Sequence, residues 1–266
     1  MGAAKYKLVF ISVSYYPSVD HGRVQCARDT CMAVHRFCKE NQDFKSHMIV
    51  VNDKSSHPDI KNILASAGCG DVTVIKQVKS GKKGVALREA IEHGVRICDP
   101  DGAIAFLEVE KTDFVSFGKI CANPIINKTA DVVIPRRADN VFKASYPVEQ
   151  YHSETFANHY INNLLGRETV NQLDVYFGPF LFSPKRSNLW LRYDGDLWDA
   201  QILPWINALI NAKDLRVEAV EIEYRHPVNQ QKEEEGDILY CQKRLLQLMN
   251  IIPKIHSLVS PKTFKP

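Results

Sequence analysis

The sequence predicts a single α/β domain whose mostly parallel, twisted sheet carries helices on both faces. Apolar strand-like stretches alternate with helical stretches through the first half of the chain. This order is typical of a parallel sheet, because parallel strands need a crossover connection. The chain has 266 residues, which suits one large domain, and no repeat, low-complexity tract or clear linker divides it. Such sheets bind ligands beyond the carboxyl ends of their strands, so the polar residues there are the candidates for function.

The first half contains five predicted strands that alternate with four predicted helices. The strands are residues 8–14, 47–51, 72–78, 103–109 and 130–134, and the helices are residues 23–40, 59–67, 84–98 and 114–122. The second half is less regular. It contains predicted helices at 151–165, 199–212 and 237–252, an apolar segment at 175–182, a late strand at 217–222 and a charged, mobile loop at 230–236. We expect Pro253 to end the last helix.

Charge and cysteine content exclude two classes of function. The 34 Lys and Arg residues against 31 Asp and Glu residues leave a net charge of +3, whereas nucleic-acid-binding proteins normally carry a strong basic excess. The seven cysteines form no CxxC pair, so neither a disulfide framework nor a zinc ribbon follows. We interpret them as reduced thiols of a cytoplasmic protein. No apolar run approaches the ~20 residues of a transmembrane helix, and residues 8–13 are too few for a signal sequence.

Two carboxylates follow the predicted strand at 103–109. Glu108 and Glu110 are spaced i, i+2, so on an extended chain their side chains point the same way. Two hard oxygen ligands at a strand end suit Mg²⁺ or Mn²⁺ held together with a substrate diphosphate. The alternative is a solvated strand end that pairs with Lys111.

Two other segments carry charged residues where strands give way to turns or helices. Asp53 lies in the turn after the second strand, and ordinary turn chemistry is the alternative explanation. Residues 80–94 place Lys82, Lys83 and Arg88 around the start of a helix. Glycine allows close backbone approach there, and a helix N-terminus favours an anion. The alternative is a solvated basic helix start.

Taken in order, these segments resemble GT-A glycosyltransferases of the family 2 kind, in the branch like dolichyl-phosphate-mannose synthase. Residues 48–56 resemble the VVDDGSTD turn, 80–94 the N-x-G-K-G-x-A segment, 129–137 the aDvViGsR strand, 151–180 the acceptor-side segment, and 197–227 the late fDvEll…H region. The resemblance runs from about residue 7 to residue 227, and its strength is the order of several weak motifs.

The resemblance implies a GT-A type fold and a metal-dependent glycosyltransferase that moves a sugar from a nucleotide-diphosphate-sugar donor to an unknown acceptor. The implied organisation is a nucleotide-binding half at 1–135, an acceptor-side half at 136–236, and a C-terminal helix and tail at 237–266. The donor is the expected partner. Nothing indicates nucleic acid or a transmembrane segment, and a homo-oligomer stays open.

The same resemblance assigns roles to individual residues. The implied nucleotide-sugar-binding residues are Asp53, Lys82, Arg88 and Glu108, with Asp53 at the base and the basic side chains at the diphosphate. The implied ligands of Mn²⁺ or Mg²⁺ are Glu108, Glu110 and His226. Asp199, or less readily Asp196, is the implied general base of an inverting transfer. The alternatives are helix capping by Asp199 and a capping or surface role for His226.

Three departures from the family pattern keep other functions open. The acidic motif is Glu-x-Glu where the family has Asp-x-Asp, Gln201 stands where the family has glutamate, and the first strand ends in Ser14-Tyr-Tyr-Pro17. They suggest a nucleotide-sugar-binding module that does not catalyse transfer as the alternative. A sugar-nucleotide pyrophosphorylase would need a Gly-rich, Arg-containing loop after the first strand, which residues 14–23 do not supply. The sugar, base, acceptor and stereochemistry stay open.

Overall fold

A seven-stranded sheet forms the centre of the computed structural model, which describes residues 5–167, 171–212 and 214–259. The strands are β1 Tyr6–Ser14, β2 Ser46–Asn52, β3 Val72–Lys76, β4 Cys98–Phe106, β5 Val132–Arg137, β6 Phe180–Phe182 and β7 Val217–Ile222. Their order across the sheet is β3-β2-β1-β4-β6-β5-β7. Every neighbouring pair is parallel except the two pairs that involve β6, which runs antiparallel to β4 and β5.

Helices cover both faces of this sheet. They are α1 Val24–Glu40, α2 Ile60–Ala67, α3 Lys83–Ile97, α4 Gly118–Ile126, α5 Asp139–Ser145, α6 Val148–Leu164, α7 Asn188–Leu191, α8 Asp199–Asn211, α9 Val228–Glu234 and α10 Ile238–Val259. Short 3₁₀ segments lie at Thr112–Phe117 and Pro184–Arg186. The buried side chains of α1, α2 and α4 belong to one core layer, and those of α3, α8 and α10 belong to the other. The predicted fold class is therefore confirmed.

Strand β1 shows why the sequence forms a two-layered core. Leu8 and Phe10 pack into one layer, and Val9 and Ile11 pack into the other. All four side chains are fully buried. Alternate residues of a strand point to opposite faces, so a central strand covered on both faces reads as a continuous apolar run. Phe10 lies between Met48 of β2 and Ala105 of β4 in the parallel register.

Two local expectations in the second half are wrong. The segment predicted as a mobile loop at 230–236 is largely helix α9, because Gln230 and Glu234 are buried and bind Arg23. The last helix does not end at Pro253 but continues to Val259, with the proline inside it. Both differences come from tertiary contacts that a local pattern does not contain. None of the helices in the described part of the chain has the length and hydropathy needed to span a bilayer.

Candidate functional site

A cavity of about 450 Å³ lies at the carboxyl ends of the first four strands. Its lining includes one residue at or just beyond the end of each of these strands, namely Ser14, Asp53, Gln77 and Glu108. Side chains from α6, α9 and α10 complete it, so both halves of the chain contribute. This is where a parallel sheet is expected to hold a ligand. Of the residues singled out from the sequence, Asp53, Lys82, Glu108, Glu110 and His226 line the cavity, whereas Arg88 and Asp199 do not.

Glu108 lies between two ammonium groups. Its Oε1 accepts a hydrogen bond from Lys83 Nζ at 3.2 Å, and its Oε2 lies 3.5 Å from Lys111 Nζ. Enclosure by the protein raises the pKa of this carboxyl, but the two lysines outweigh that effect and lower the pKa to about 2. Glu108 is therefore ionised at neutral pH.

Lys111 is held more firmly than a surface lysine. Its side chain is only 14% exposed. Its Nζ lies 4.9 Å from the centre of the Phe177 ring and 5.5 Å from that of Tyr224. Ammonium groups are attracted to aromatic faces at these distances. The rings and Glu108 together fix the charge at the end of β4, where it faces the cavity.

Glu110 is bound by a different set of partners. Its Oε1 accepts a hydrogen bond from the Tyr16 hydroxyl at 2.9 Å, and its Oε2 lies 3.4 Å from Arg23 Nη1. The same guanidinium also contacts Gln230 and Glu234 of α9 at 3.1 and 2.8 Å. Glu110 therefore connects the end of β4 to the helix that follows β7.

His226 is almost completely enclosed. Its side chain is 6% exposed, its Nε2 lies 3.4 Å from Glu234 Oε2, and its ring stacks on Tyr146 at 4.4 Å. Burial lowers the pKa of His226, and Glu234 opposes this only in part. The imidazole is therefore neutral at pH 7. For Glu234, burial raises the pKa, but His226 and Arg23 outweigh it and lower the pKa to about 2.

The three predicted metal ligands do not form a ligand set. Glu108 binds lysines, Glu110 binds Tyr16 and Arg23, and His226 lies apart from both, with its Nε2 3.4 Å from Glu234 Oε2. Within residues 5–167, 171–212 and 214–259, no group of three or more His, Cys, Asp or Glu side chains could hold a metal ion. The side chains as they lie do not fit Mn²⁺ or Mg²⁺, which need several oxygen ligands free to face one ion.

The turn after β2 presents Asp53 to the cavity. Its Oδ1 accepts hydrogen bonds from the amide of Ser55 at 2.7 Å and from the Ser55 hydroxyl, which fixes the carboxylate. The preceding Asn52 is buried and accepts a hydrogen bond from the Ser14 hydroxyl at 2.9 Å. A carboxylate at this enclosed position would be costly. The neutral amide of Asn52 accepts this hydrogen bond without that cost.

Lys82 and Lys83 begin α3 beside the cavity. The loop before them is fixed by the buried Glu89, which accepts hydrogen bonds from the amides of Val78 and Lys79 at 3.0 and 2.5 Å. The helix start itself is partly occupied, because the Gly84 amide donates to the carbonyl of Asp196 at 3.0 Å. The two lysine side chains, rather than the free backbone amides alone, therefore supply the positive charge here.

Arg88 and Asp199 have structural partners outside the cavity. Arg88 Nη1 donates to the carbonyls of Tyr193 and Gly195, both at 2.8 Å, and thereby holds the loop that packs on α3. Asp199 is buried at the start of α8 and is bound by Lys254 and by the Tyr193 hydroxyl at 3.0 Å. Burial raises the pKa of Asp199, but these two partners outweigh it and lower the pKa. Neither side chain faces the cavity that holds the other candidates.

The sequence patterns missed several cavity residues. Among them are Arg23, Lys111, Gln150, Tyr176, Lys243 and Arg244. The sequence pattern indicates Lys111 only as an ion-pair partner of the adjacent glutamates. One signal was available for α10, because its residues include Lys243, Arg244 and Lys254 but no acidic residue. Such a helix needs acidic partners or an anionic ligand elsewhere in the fold.

No protein-family model matches this chain, and no curated protein matches it significantly. Solved structures that resemble it include a protein of Desulfovibrio desulfuricans G20 assigned as a nucleotide-diphospho-sugar transferase, with 10% identity, a TM-score of 0.46, and 94% of this chain and 98% of that chain covered. Another is 4-diphosphocytidyl-2C-methyl-D-erythritol synthase of Anaerococcus prevotii, with 13% identity, a TM-score of 0.44, and 91% and 96% covered.

A third similar structure is the galactosyltransferase LgtC with donor and acceptor sugar analogues, with 10% identity, a TM-score of 0.36, and 97% of both chains covered. At these identities and TM-scores the similarities establish neither a family nor an activity for this chain.

Proposed function

We propose that the protein binds a nucleotide-diphosphate-sugar in the strand-end cavity and transfers the sugar to an acceptor. The observation that carries this proposal is the set of charged groups that line the cavity. A carboxylate fixed by Ser55, Asp53, lines it together with a cluster of cationic side chains. The cluster consists of Lys82, Lys83, Lys111 and Lys243. A volume of about 450 Å³ falls within the usual range for small-molecule sites.

These groups suit the parts of such a donor. Asp53 accepts hydrogen bonds, and a nucleobase offers N–H donors. Lysine ammonium groups bind phosphate oxygens as point charges, so the cluster suits a diphosphate. Tyr176, Trp198 and Gln150 also line the cavity and offer aromatic faces and an amide to the sugar. Sugars are bound by this combination of ring faces and hydrogen-bonding groups.

In the proposed reaction, an acceptor hydroxyl oxygen forms a bond to the anomeric carbon while the bond from that carbon to the diphosphate oxygen breaks. The lysines offset the negative charge that develops on the leaving diphosphate. The hydroxyl proton passes to the leaving diphosphate or to a cavity carboxylate. Asp199 stays a sequence-based prediction as the base, and its contact with Lys254 does not support that role. No step is assigned to a metal, because the predicted ligands do not fit one as they lie.

Calorimetric titration with UDP-, GDP- and CDP-sugars tests the proposal. We expect one of them to bind and to be hydrolysed slowly in the absence of acceptor. Asp53→Ala should weaken that binding about tenfold, because one hydrogen bond to a charged group is lost. Asp20→Ala, on the exposed turn before α1, is the matched control. Absence of binding by all three donors would disprove the proposal.

The second candidate is a module that binds the nucleotide-sugar without transferring the sugar. It is favoured by one observation, the engagement of Glu108 by Lys83 and of Glu110 by Tyr16, which occupies the carboxylates next to the cavity. The same titration separates the candidates, since such a module binds the donor but leaves it intact.

A further inference from the structure

We infer that Lys83 and Lys111 take the place of a divalent metal in this site, so that the diphosphate binds without one. The inference rests on the proposed function, because it concerns how the donor's diphosphate is held. It departs from the sequence-based prediction that Glu108, Glu110 and His226 hold Mn²⁺ or Mg²⁺.

The position of Glu108 carries the inference. Each of its two oxygens faces an ammonium group, with Lys83 Nζ 3.2 Å from Oε1 and Lys111 Nζ 3.5 Å from Oε2. A divalent ion bound to either oxygen would lie within a few ångströms of both ammonium groups. Like charges that close repel strongly in a partly enclosed site. The ion could bind only after the lysines had moved away.

Lys111 is not free to move away. It is 14% exposed and packs against the rings of Phe177 and Tyr224. Lys83 is 25% exposed, and its Nζ lies 3.2 Å from Glu108 Oε1 and 5.9 Å from the centre of the Phe106 ring. The charge of Lys111 is therefore fixed and that of Lys83 is directed by Glu108 before any ligand arrives, which lowers the cost of binding an anion between them.

The two ammonium groups retain donors for a ligand. A lysine ammonium has three N–H donors, and Glu108 takes one from Lys83. Lys83, Lys111 and Lys243 all line the cavity. Together they supply at least the positive charge of one divalent ion. Glu110 is bound by Arg23 and Tyr16, and in the described part of the chain no group of three His, Cys, Asp or Glu side chains around His226 could hold a metal ion.

The test is calorimetric titration with UDP, GDP and CDP, first in EDTA and then with Mn²⁺. We expect one nucleotide to bind with the same affinity in both conditions, to within about twofold. Lys83→Met and Lys111→Met should each weaken binding in EDTA about tenfold or more, since each removes a charged hydrogen-bond donor. Lys232→Met is the matched control, because Lys232 is an exposed lysine of α9 that does not line the cavity.

The outcomes separate this inference from the proposed function. If a nucleotide binds only with Mn²⁺, the inference is wrong and the proposed function stands. If no nucleotide binds in either condition, both are wrong. Thermal unfolding of each variant shows whether it is folded. Should Lys111→Met fail to fold, the more exposed Lys83→Met decides, and unchanged affinity in that variant would overturn the inference.

Discussion

Two ionic clusters in this protein both pair carboxylates with basic side chains but differ in access to solvent. In the closed cluster, Arg137 binds Asp174 through Nε and Nη2 at 2.6 and 2.8 Å and binds Glu154 at 2.8 Å. The three side chains are at most 5% exposed. In the open cluster, Glu108 and Lys83 are 35% and 25% exposed and face the cavity.

The difference shows where the charge remains available. The guanidinium of Arg137 also lies 3.5 Å from the centre of the Phe142 ring, so its carboxylate and aromatic partners surround it. The closed cluster ties the end of β5 to α6 and to the segment before β6. The open cluster keeps N–H donors beside a cavity. Burial therefore separates a structural ion pair from a candidate binding group.

The largest expected effect is on the closed cluster. Arg137→Ala leaves two buried carboxylates without a cation, which should lower the free energy of unfolding by about 3–5 kcal/mol. The adjacent Arg136 pairs with Glu221 at 2.8 Å on the surface, where both side chains are partly exposed. Arg136→Ala should cost no more than about 1 kcal/mol. Urea unfolding measures both, and equal losses would contradict the contrast drawn from burial.

A smaller effect is expected beside the open cluster. A Cβ on Gly84 would lie 2.1 Å from the carbonyl oxygen of Gly195, so Gly84→Ala must displace the loop or the start of α3. We expect a loss of about 1–3 kcal/mol, as for overpacking elsewhere, although alanine is the better helix former. The control is Gly22→Ala, where nothing lies within 4 Å of the added atom. A Gly84→Ala protein as stable as the wild type would show that the loop yields freely.

The free energy of unfolding should decrease as the pH is lowered, and it should do so in two separate ranges. The pKa of His226 is lowered from 6.5 by burial, so the unfolded chain binds more protons and stability decreases as the pH falls below about 6.5. The pKa values of Glu108 and Glu234 are lowered from 4.5 to about 2, so their contribution is present above 4.5 and is lost as the pH falls towards 2. Urea unfolding at a series of pH values measures both ranges.

A variant separates the contributions to this pH dependence. Burial also lowers the pKa of His47 and His93. His226→Gln should therefore reduce the slope of the upper range without abolishing it and should leave the lower range, whereas the exposed His152→Gln should change neither. An upper range whose slope is unchanged in His226→Gln would assign it to other groups.

The smallest expected effect is that of Glu108→Gln on stability. The ion pair between Glu108 and Lys83 is about one-third exposed. Breaking it should therefore change the free energy of unfolding by less than about 1 kcal/mol. A loss as large as that of Arg137→Ala would mean that the open cluster is structural too. Chemical unfolding in the same buffer as for the other variants provides the comparison.

The sequence was sufficient for the fold class because its signals are local. Leu8–Ile11 and the other central strands are continuous apolar runs, and the helices between them fix the parallel arrangement. It also placed Asp53 and Glu108 at strand ends and Lys82 at a helix start, and all three line one cavity. The roles predicted for these side chains remain predictions.

The partners of each side chain were not predictable in the same way. Arg88 and Asp199 carry suitable chemistry at suitable positions, but the fold gives them the loop carbonyls after α7 and Lys254 as partners. Helix α9 differs from the predicted loop because Glu234 accepts a hydrogen bond from Arg23, which is far away in the chain. A local pattern contains the residue type but not the group across the interface.

The walls of this cavity come from both halves of the chain, so the cavity is complete only when all of the strands that carry them have paired. Because β6 reverses between β4 and β5, the carboxyl ends of β4, β5 and β7 emerge on the same edge. Glu108 and His226 therefore meet at one cavity although they come from opposite halves of the chain. A folding intermediate without β7 would lack that wall, so during refolding the capacity to capture a nucleotide should appear only with the last strand.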